Sequence, residues 1–132
     1  MKIERPLTTL AASLALFFSA TAAVAQSFPS KSVRLVVPFA AGGTIDIIGR
    51  LVAQPLTKAL GQQVIVDDRP GGGTVIGTDI VARAPADGHT ILLMGPSFTI
   101  NLFARDKLPC DTVRDFTGIA RLAANPLLFS VH

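Results

Sequence analysis

Beyond residue 30 the chain alternates between short apolar runs and stretches in which apolar positions recur every three or four residues. The first run, residues 33–37 (VRLVV), is apolar at four of five positions and rich in β-branched side chains, as a buried strand should be. Pro38 ends it, because proline has no N–H for a ladder. Gly42 and Gly43 then allow a sharp, open turn. From residue 44 to 60, Ile45, Ile48, Leu51, Val52, Leu56 and Leu60 predict one apolar helical stripe. Thr44 suits the N-cap, and Asp46 places a carboxylate in the first turn, where the macrodipole favours it. Pro55 removes a hydrogen bond at a typical cost of ~3 kcal/mol, which predicts a kink or an early end. A helix starting where a buried strand stops offers free N–H groups to an anion.

The same unit recurs. Residues 63–67 (QVIVD) predict a second strand, followed by Pro70, Gly71, Gly72, Gly73 and Thr74. Three consecutive glycines form a loop whose N–H groups can wrap an oxyanion. A helix follows from residue 73 or 74 to about Arg83, with Val75, Ile76, Ile80 and Val81 as its apolar side, and Pro85 with the Asp87–Gly88 turn ends it. Residues 90–94 (TILLM) predict a third strand, then Gly95, Pro96 and Ser97 lead into a weakly helical stretch over residues 98–104. Strands that are apolar throughout and alternate with helices indicate an α/β fold, its mostly parallel sheet covered on both faces. Ligands then gather at the carboxyl ends of the strands, here residues 39–44, 70–74 and 95–99. Further on, residues 116–124 read as a strand. Asn125 and Pro126 break it, and residues 127–131 form a last apolar run that stops without a partner, as an incomplete chain would.

Ahead of all this, Lys2 and Arg5 precede an uncharged apolar stretch over residues 7–24, and Ala23-Val24-Ala25 supplies a small-x-small cleavage site. Residues 1–25 read as a signal peptide rather than part of the fold, leaving one small domain. The formal net charge of +3 is spread thinly, with no basic run or aromatic ladder for nucleic acid. Cys110 is the single cysteine, so no internal disulfide is possible, and no histidine stands near it to activate a thiolate. Cys110, His89 and His132 make no metal-ligand spacing.

The glycine loops fail the nucleotide motifs. No lysine follows Gly77 as a phosphate loop needs, and Ile76 stands where the dinucleotide fingerprint needs its third glycine. No nucleophile–base–acid set is evident, so no catalytic residue, metal or cofactor is expected. Ser97 and Thr99 suit hydrogen bonding, and Asp46 suits either helix capping or ligand contact. A nucleotide- or phosphate-binding enzyme domain and a non-functional truncated remnant are the alternative readings.

Three segments carry a family resemblance: residues 33–54 (VRLVVPFAAGGTIDIIGRLVAQ), 61–95 (GQQVIVDDRPGGGTVIGTDIVARAPADGHTILLMG) and 108–116 (LPCDTVRDF). In order and spacing they resemble the periplasmic substrate-binding proteins of tripartite tricarboxylate transporters, also called Bug proteins. The resemblance implies a periplasmic binding protein type II-like lobe over residues 26–124. It places the start of a truncated second lobe at 125–132, with the rest of that lobe missing. It implies capture of a small carboxylate for a membrane permease, by a monomer with no enzymatic activity. It places the ligand contacts at Phe39, Ala40, Gly43, Thr44 and Asp46 in the first loop, and at Gly72, Gly73, Thr74 and Val75 in the second. Ser97 and Thr99 fall where the third loop contributes. Ile45 and Val75 stand where the family commonly carries Ser or Thr and Asn, and Pro55 replaces a helix former.

Overall fold

The structure, a computed structural model, describes residues 27–105 and 107–124. The expected signal peptide at residues 1–25 and the apolar run at 127–131 lie outside the described residues. Three strands, β1 (Val33–Val37), β2 (Val64–Asp68) and β3 (Thr90–Leu92), form one parallel sheet in the order β2-β1-β3. The register pairs Val37 with Asp68 and Val36 with Leu92, so the three strands end nearly level. Between them run helices α1 (Thr44–Leu60) and α2 (Val75–Ala82), and α3 (Ser97–Ala104) follows β3.

Side chains alternate across a strand. Val33, Leu35 and Val37 point to one face, where they pack with Ala53, Val64 and Leu93 beneath α1. Val36 and Pro38 point to the other face, where Gly77 of α2 rests on Pro38. Val36 and Val37 are both 0% exposed, and each such side chain contributes roughly 1.5–3 kcal/mol by leaving water. The two-sided burial explains why four of the five residues of β1 are apolar, Arg34 being the exception. The path from β1 out to β2 and back across to β3, with right-handed crossovers, also requires the helices to lie on opposite faces.

Some details depart from the sequence-based expectation. Leu51 is 67% exposed and leaves the predicted stripe. Gly49 is the point of closest approach to the sheet, its Cβ position 3.2 Å from Leu93 and 3.3 Å from Val37, and Leu51 lies about 200° round the helix from it. Pro55 does not end α1 early. The helix continues to Leu60 and stops at Gly61, whose positive φ of 67° lets its N–H reach Thr57 O at 3.1 Å. Pro55 and Leu51 are both exposed, so water can serve the carbonyl that proline leaves unpaired. Ile76 is 52% exposed, and Gly77 and Thr78 form the buried face of α2 instead. Residues 116–124 are not a strand. No strand of the described sheet lies beside them to supply a ladder, and Ile119 stands 82% exposed.

At the amino edge of the sheet, the turn before β3 anchors the segment leading into β1. His89 is buried, its ring 5.0 Å from that of Phe28. Its Nε2 accepts the Ser30 N–H at 3.3 Å, and Lys31 pairs with Asp87 at 2.9 Å. The His89 N–H, and then Lys31, hold the Asp87 carboxyl down at about 2. A depressed carboxylate stabilises the fold above its unfolded pKa and loses that contribution as pH falls through the folded value. Thermal melts between pH 4 and pH 2 are therefore expected to fall more steeply for the wild type than for Asp87→Asn. Equal slopes would show the turn to be unimportant.

Candidate functional site

Parallel strands of one sheet release their following loops at the same edge. The loops after β1 (residues 38–43), β2 (69–74) and β3 (93–96) therefore leave side by side. Because β1 is central and its neighbours are reached over opposite faces, the chain diverges here, and such a divergence leaves a crevice.

In the first loop, Gly42 takes a positive φ of 82° and Gly43 N–H turns back to Ala40 O at 3.2 Å. The N-cap of α1 is Gly43, without a side-chain cap bond, so Thr44 is the first helical residue and not the cap expected from sequence. A capping side chain would cover the opening amides. Here the N–H groups of Thr44, Ile45 and Asp46 have no intrahelical acceptor, because the first such bond joins Ile47 N–H to Gly43 O.

Asp46 points inward rather than at the rim. It is 3% exposed, accepts the Gly42 N–H at 2.7 Å and pairs with Arg50 Nε at 2.7 Å. Arg50 in turn holds Asp68 Oδ2 at 2.8 Å. This brace joins the start of α1 to the end of β2. Sequence alone does not indicate Arg50 or Asp68, although the i,i+4 spacing of Asp46 and Arg50 was available. Asp67, one residue away, faces the opposite side of the sheet, where Arg34 and Arg69 hold it. The two neighbours shift in opposite directions. Burial raises Asp67, but the hydrogen bonds from Arg34 and Arg69 outweigh it and the net shift is downward. Burial, followed by the charge of Asp46, pushes Asp68 up despite Arg50.

The second loop is a left-handed turn. Gly72, Gly73 and Thr74 have φ of 57°, 63° and 81° before α2 begins. A residue with a Cβ resists this conformation by roughly 1–2 kcal/mol, so Thr74 is held there by its surroundings. Thr74 is buried, and its Oγ1 accepts from Asn101 Nδ2 at 3.1 Å. Among the described residues, no acceptor is paired with the N–H groups of Gly72 or Gly73. Both glycines are exposed, and Val75 is half-buried behind them.

The third loop closes the rim. Gly95 lies under Ile45 and Phe39, its Cβ position 3.5 and 3.8 Å from them. Ser97 is half-buried and Thr99 exposed, but the amides of Phe98, Thr99 and Ile100 already bond to Gly95 or Pro96 carbonyls. The structure thus brings Phe39, Gly43, Thr44, Gly72 and Gly73 to one edge, with spare amides at Thr44, Gly72 and Gly73 and the Gly43 amide already turned to Ala40. Ala40 is exposed on the same loop, Asp46 is set beneath it, and Ser97 and Thr99 bring fewer free donors. Sequence reading missed Asn101 in α3 and Arg105 just past its end, which reach across to the second loop; the signal would have been their i,i+4 spacing.

Nearby, Val75, Thr78, Met94, Phe98 and Cys110 surround a cavity of about 10 Å³, room for roughly one water. Burial, and then Asp115 and Asp79, push the Cys110 thiol up, which leaves it protonated and weakly nucleophilic at neutral pH. Among the described residues, no group of three or more His, Cys, Asp or Glu could hold a metal ion, and no helix is long and apolar enough to cross a membrane.

Residues 48–132 match the family described as the tripartite tricarboxylate transporter family receptor, TctC. The chain is 40% identical over 106 residues to the UPF0065 protein of the tcbD-tcbE intergenic region of a Pseudomonas species, covering 80% of this chain and 32% of that one. It is 35% identical over 118 residues to Protein BugT of Bordetella pertussis, covering 84% and 36%. The chain spans about a third of the length of these curated relatives. Among solved structures it is similar to MatC from Rhodopseudomonas palustris with bound malate, at a TM-score of 0.64 and 35% identity over 68% of this chain and 31% of that one. A structure described as a periplasmic transporter matches with a TM-score of 0.61 and 41% identity over 66% and 30%. An R. palustris protein with adipate matches with a TM-score of 0.53 and 41% identity over 54% and 24%. These likenesses bear out the α/β fold read from the strand pattern and the periplasmic-binding-protein character that the family resemblance implies.

Proposed function

The chain belongs to the tripartite tricarboxylate transporter receptor family, and we propose on that footing that it captures a small organic acid in the periplasm and presents it to a membrane permease. The observation that supports this most is the meeting, at one edge of one sheet, of two loops whose opening amides lack partners. Each is a set of fixed N–H donors with a helix dipole behind it, which suits a carboxylate. Malate and adipate are carried by two of the similar proteins, and both are small dicarboxylic acids. Capture proceeds by hydrogen bonding to the N–H groups of Thr44, Gly72 and Gly73, with Phe39, Ala40, Gly43, Thr74 and Val75 shaping the wall and Ser97 and Thr99 at its margin. Asp46 acts from below by fixing Gly42. No covalent step is involved, and the protein works as a monomer, delivered across the inner membrane by its leader.

The described residues supply one wall of the site. A carboxylate held there stays half in water, where charge-assisted bonds weaken, so the expected Kd for malate is on the order of 1 mM. Titration with malate, followed by ¹⁵N–¹H NMR, should move the amides of Thr44, Ile45, Gly72 and Gly73 together. Absence of shifts, or equal shifts at Gly88 on the opposite edge, would overturn the reading.

A further inference from the structure

In the second loop, every carbonyl from Gly71 to Thr74 already has a donor. Gly71 O accepts the Thr74 N–H at 3.0 Å. Gly72 O accepts from Arg105 Nη2 at 2.8 Å, and Gly73 O from Asn101 Nδ2 at 2.9 Å. Thr74 O accepts the Thr78 hydroxyl at 2.9 Å. The two central bonds come from Arg105, just past the end of α3, and from Asn101 within it, 33 and 28 residues away in sequence. They are also linked to each other, because Arg105 Nε donates to Asn101 Oδ1 at 3.3 Å, which turns the Asn101 amide nitrogen toward the loop. The guanidinium lies so close that a Cβ at Gly73 would stand 2.7 Å from its Nη2.

From this we infer that Asn101 and Arg105 are positioning residues that turn the second loop into a surface of donors only. With its carbonyls drawn toward α3, the loop presents to the crevice only the N–H groups of Gly72 and Gly73. Such a surface accepts a fully ionised carboxylate, which has only acceptors. It disfavours a protonated acid or a carboxamide, whose own N–H or O–H meets only donors on this wall and must turn to water instead. The selection of ionised acids over neutral isosteres is thus set from α3 rather than from the loop itself. This inference rests on the carboxylate-binding reading for its ligand, but the geometry of the clamp does not.

The experiment has a ligand-free arm and a ligand arm. Backbone ¹⁵N relaxation at Gly72 and Gly73 should give order parameters near the ~0.85 of rigid backbone in the wild type, and below ~0.6 in the Asn101→Ala, Arg105→Ala double variant. Asn101→Asp, nearly isosteric but without the donor, should loosen Gly73 and Thr74 and leave Gly72, which Arg105 still holds. Arg105→Lys keeps the charge without the planar fork and should loosen Gly72. In the ligand arm, the wild type should prefer malate to malamide, its neutral diamide, by more than about tenfold, and the double variant should bring that ratio toward one. Unchanged order parameters in the double variant would overturn the proposal. Loosened glycines with an unchanged malate-to-malamide ratio would overturn the selectivity it assigns. If the glycines loosen but the wild type binds no malate, the transport reading falls and the clamp stands.

Discussion

Gly77→Ala is expected to destabilise the fold by about 3 kcal/mol, at the upper end of what an added methyl costs in a packed interior. The new Cβ would stand 2.6 Å from Pro38 Cβ, 2.8 Å from Arg69 O and 3.0 Å from Pro38 Cα. Most of these are main-chain atoms or belong to a ring that cannot rotate away. They also sit at the ends of β1 and β2, so relief of the clash must separate α2 from the sheet or push the two strand ends apart. For a domain of this size, that loss lowers the melting temperature by roughly 10–20 °C. The same displacement would carry the second loop away from the first, so malate binding should be lost even where enough folded protein remains to measure. Gly42→Ala is the matched control. Nothing lies within 4 Å of its Cβ position, and only its φ of +82° opposes the change, so the cost should stay near ~1–2 kcal/mol. Equal melting temperatures for the two variants would show that the contact of α2 with Pro38 does not hold the rim together.

Much of this architecture was legible in the sequence because it depends on local signals. Nearly continuous apolar runs such as Val33–Val37 imply burial on both faces, and that implies a parallel sheet with crossover helices. Parallel strands then force the glycine loops to one edge, whatever the details of packing. What was not legible depends on long-range geometry. The stripe drawn through Leu51 failed because the crossing point of α1 on the sheet is fixed by Gly49 against Leu93, a residue on another element. Thr44 has the chemistry of a cap, but the turn at Gly42 and Gly43 brings the chain into the helix one residue earlier. The strand expected at 116–124 has the composition for a ladder and no neighbour among the described residues to complete one. In the candidate site, the glycines declared themselves, whereas the side chains that hold them did not. Asp46 is a first-turn acid by position and could face either way. Its inward course is decided by Arg50 and by Asp68 at the end of β2, and Asn101 and Arg105 reach Gly73 and Gly72 only once α3 is in place.

Asp46→Ala is expected to be the second most damaging change, through the first loop. It removes the acceptor of the Gly42 N–H and one of the two carboxylates on Arg50. Breaking a buried ion pair costs ~3–5 kcal/mol, but the Arg50 side chain is 54% exposed and water can take up part of its charge, so about 2 kcal/mol is expected here. Asp46→Asn separates the two roles, since its carbonyl oxygen can still accept from Gly42 while the charge is gone. The consequence appears at Asp68, whose carboxyl is raised by burial and next by the charge of Asp46. A carboxyl raised in the folded state favours folding most below its unfolded pKa, and that contribution is lost as pH climbs through the folded value. The wild type should therefore lose stability from this pair as pH rises from about 4, whereas Asp46→Asn should flatten that slope and bring Asp68 back toward an ordinary carboxyl. Carbon-detected NMR of the Asp68 carboxyl reads the midpoint directly. If the midpoint does not move in Asp46→Asn, the two acids are not neighbours in solution, and the first loop must be held by the Gly43–Ala40 turn and the start of α1 alone.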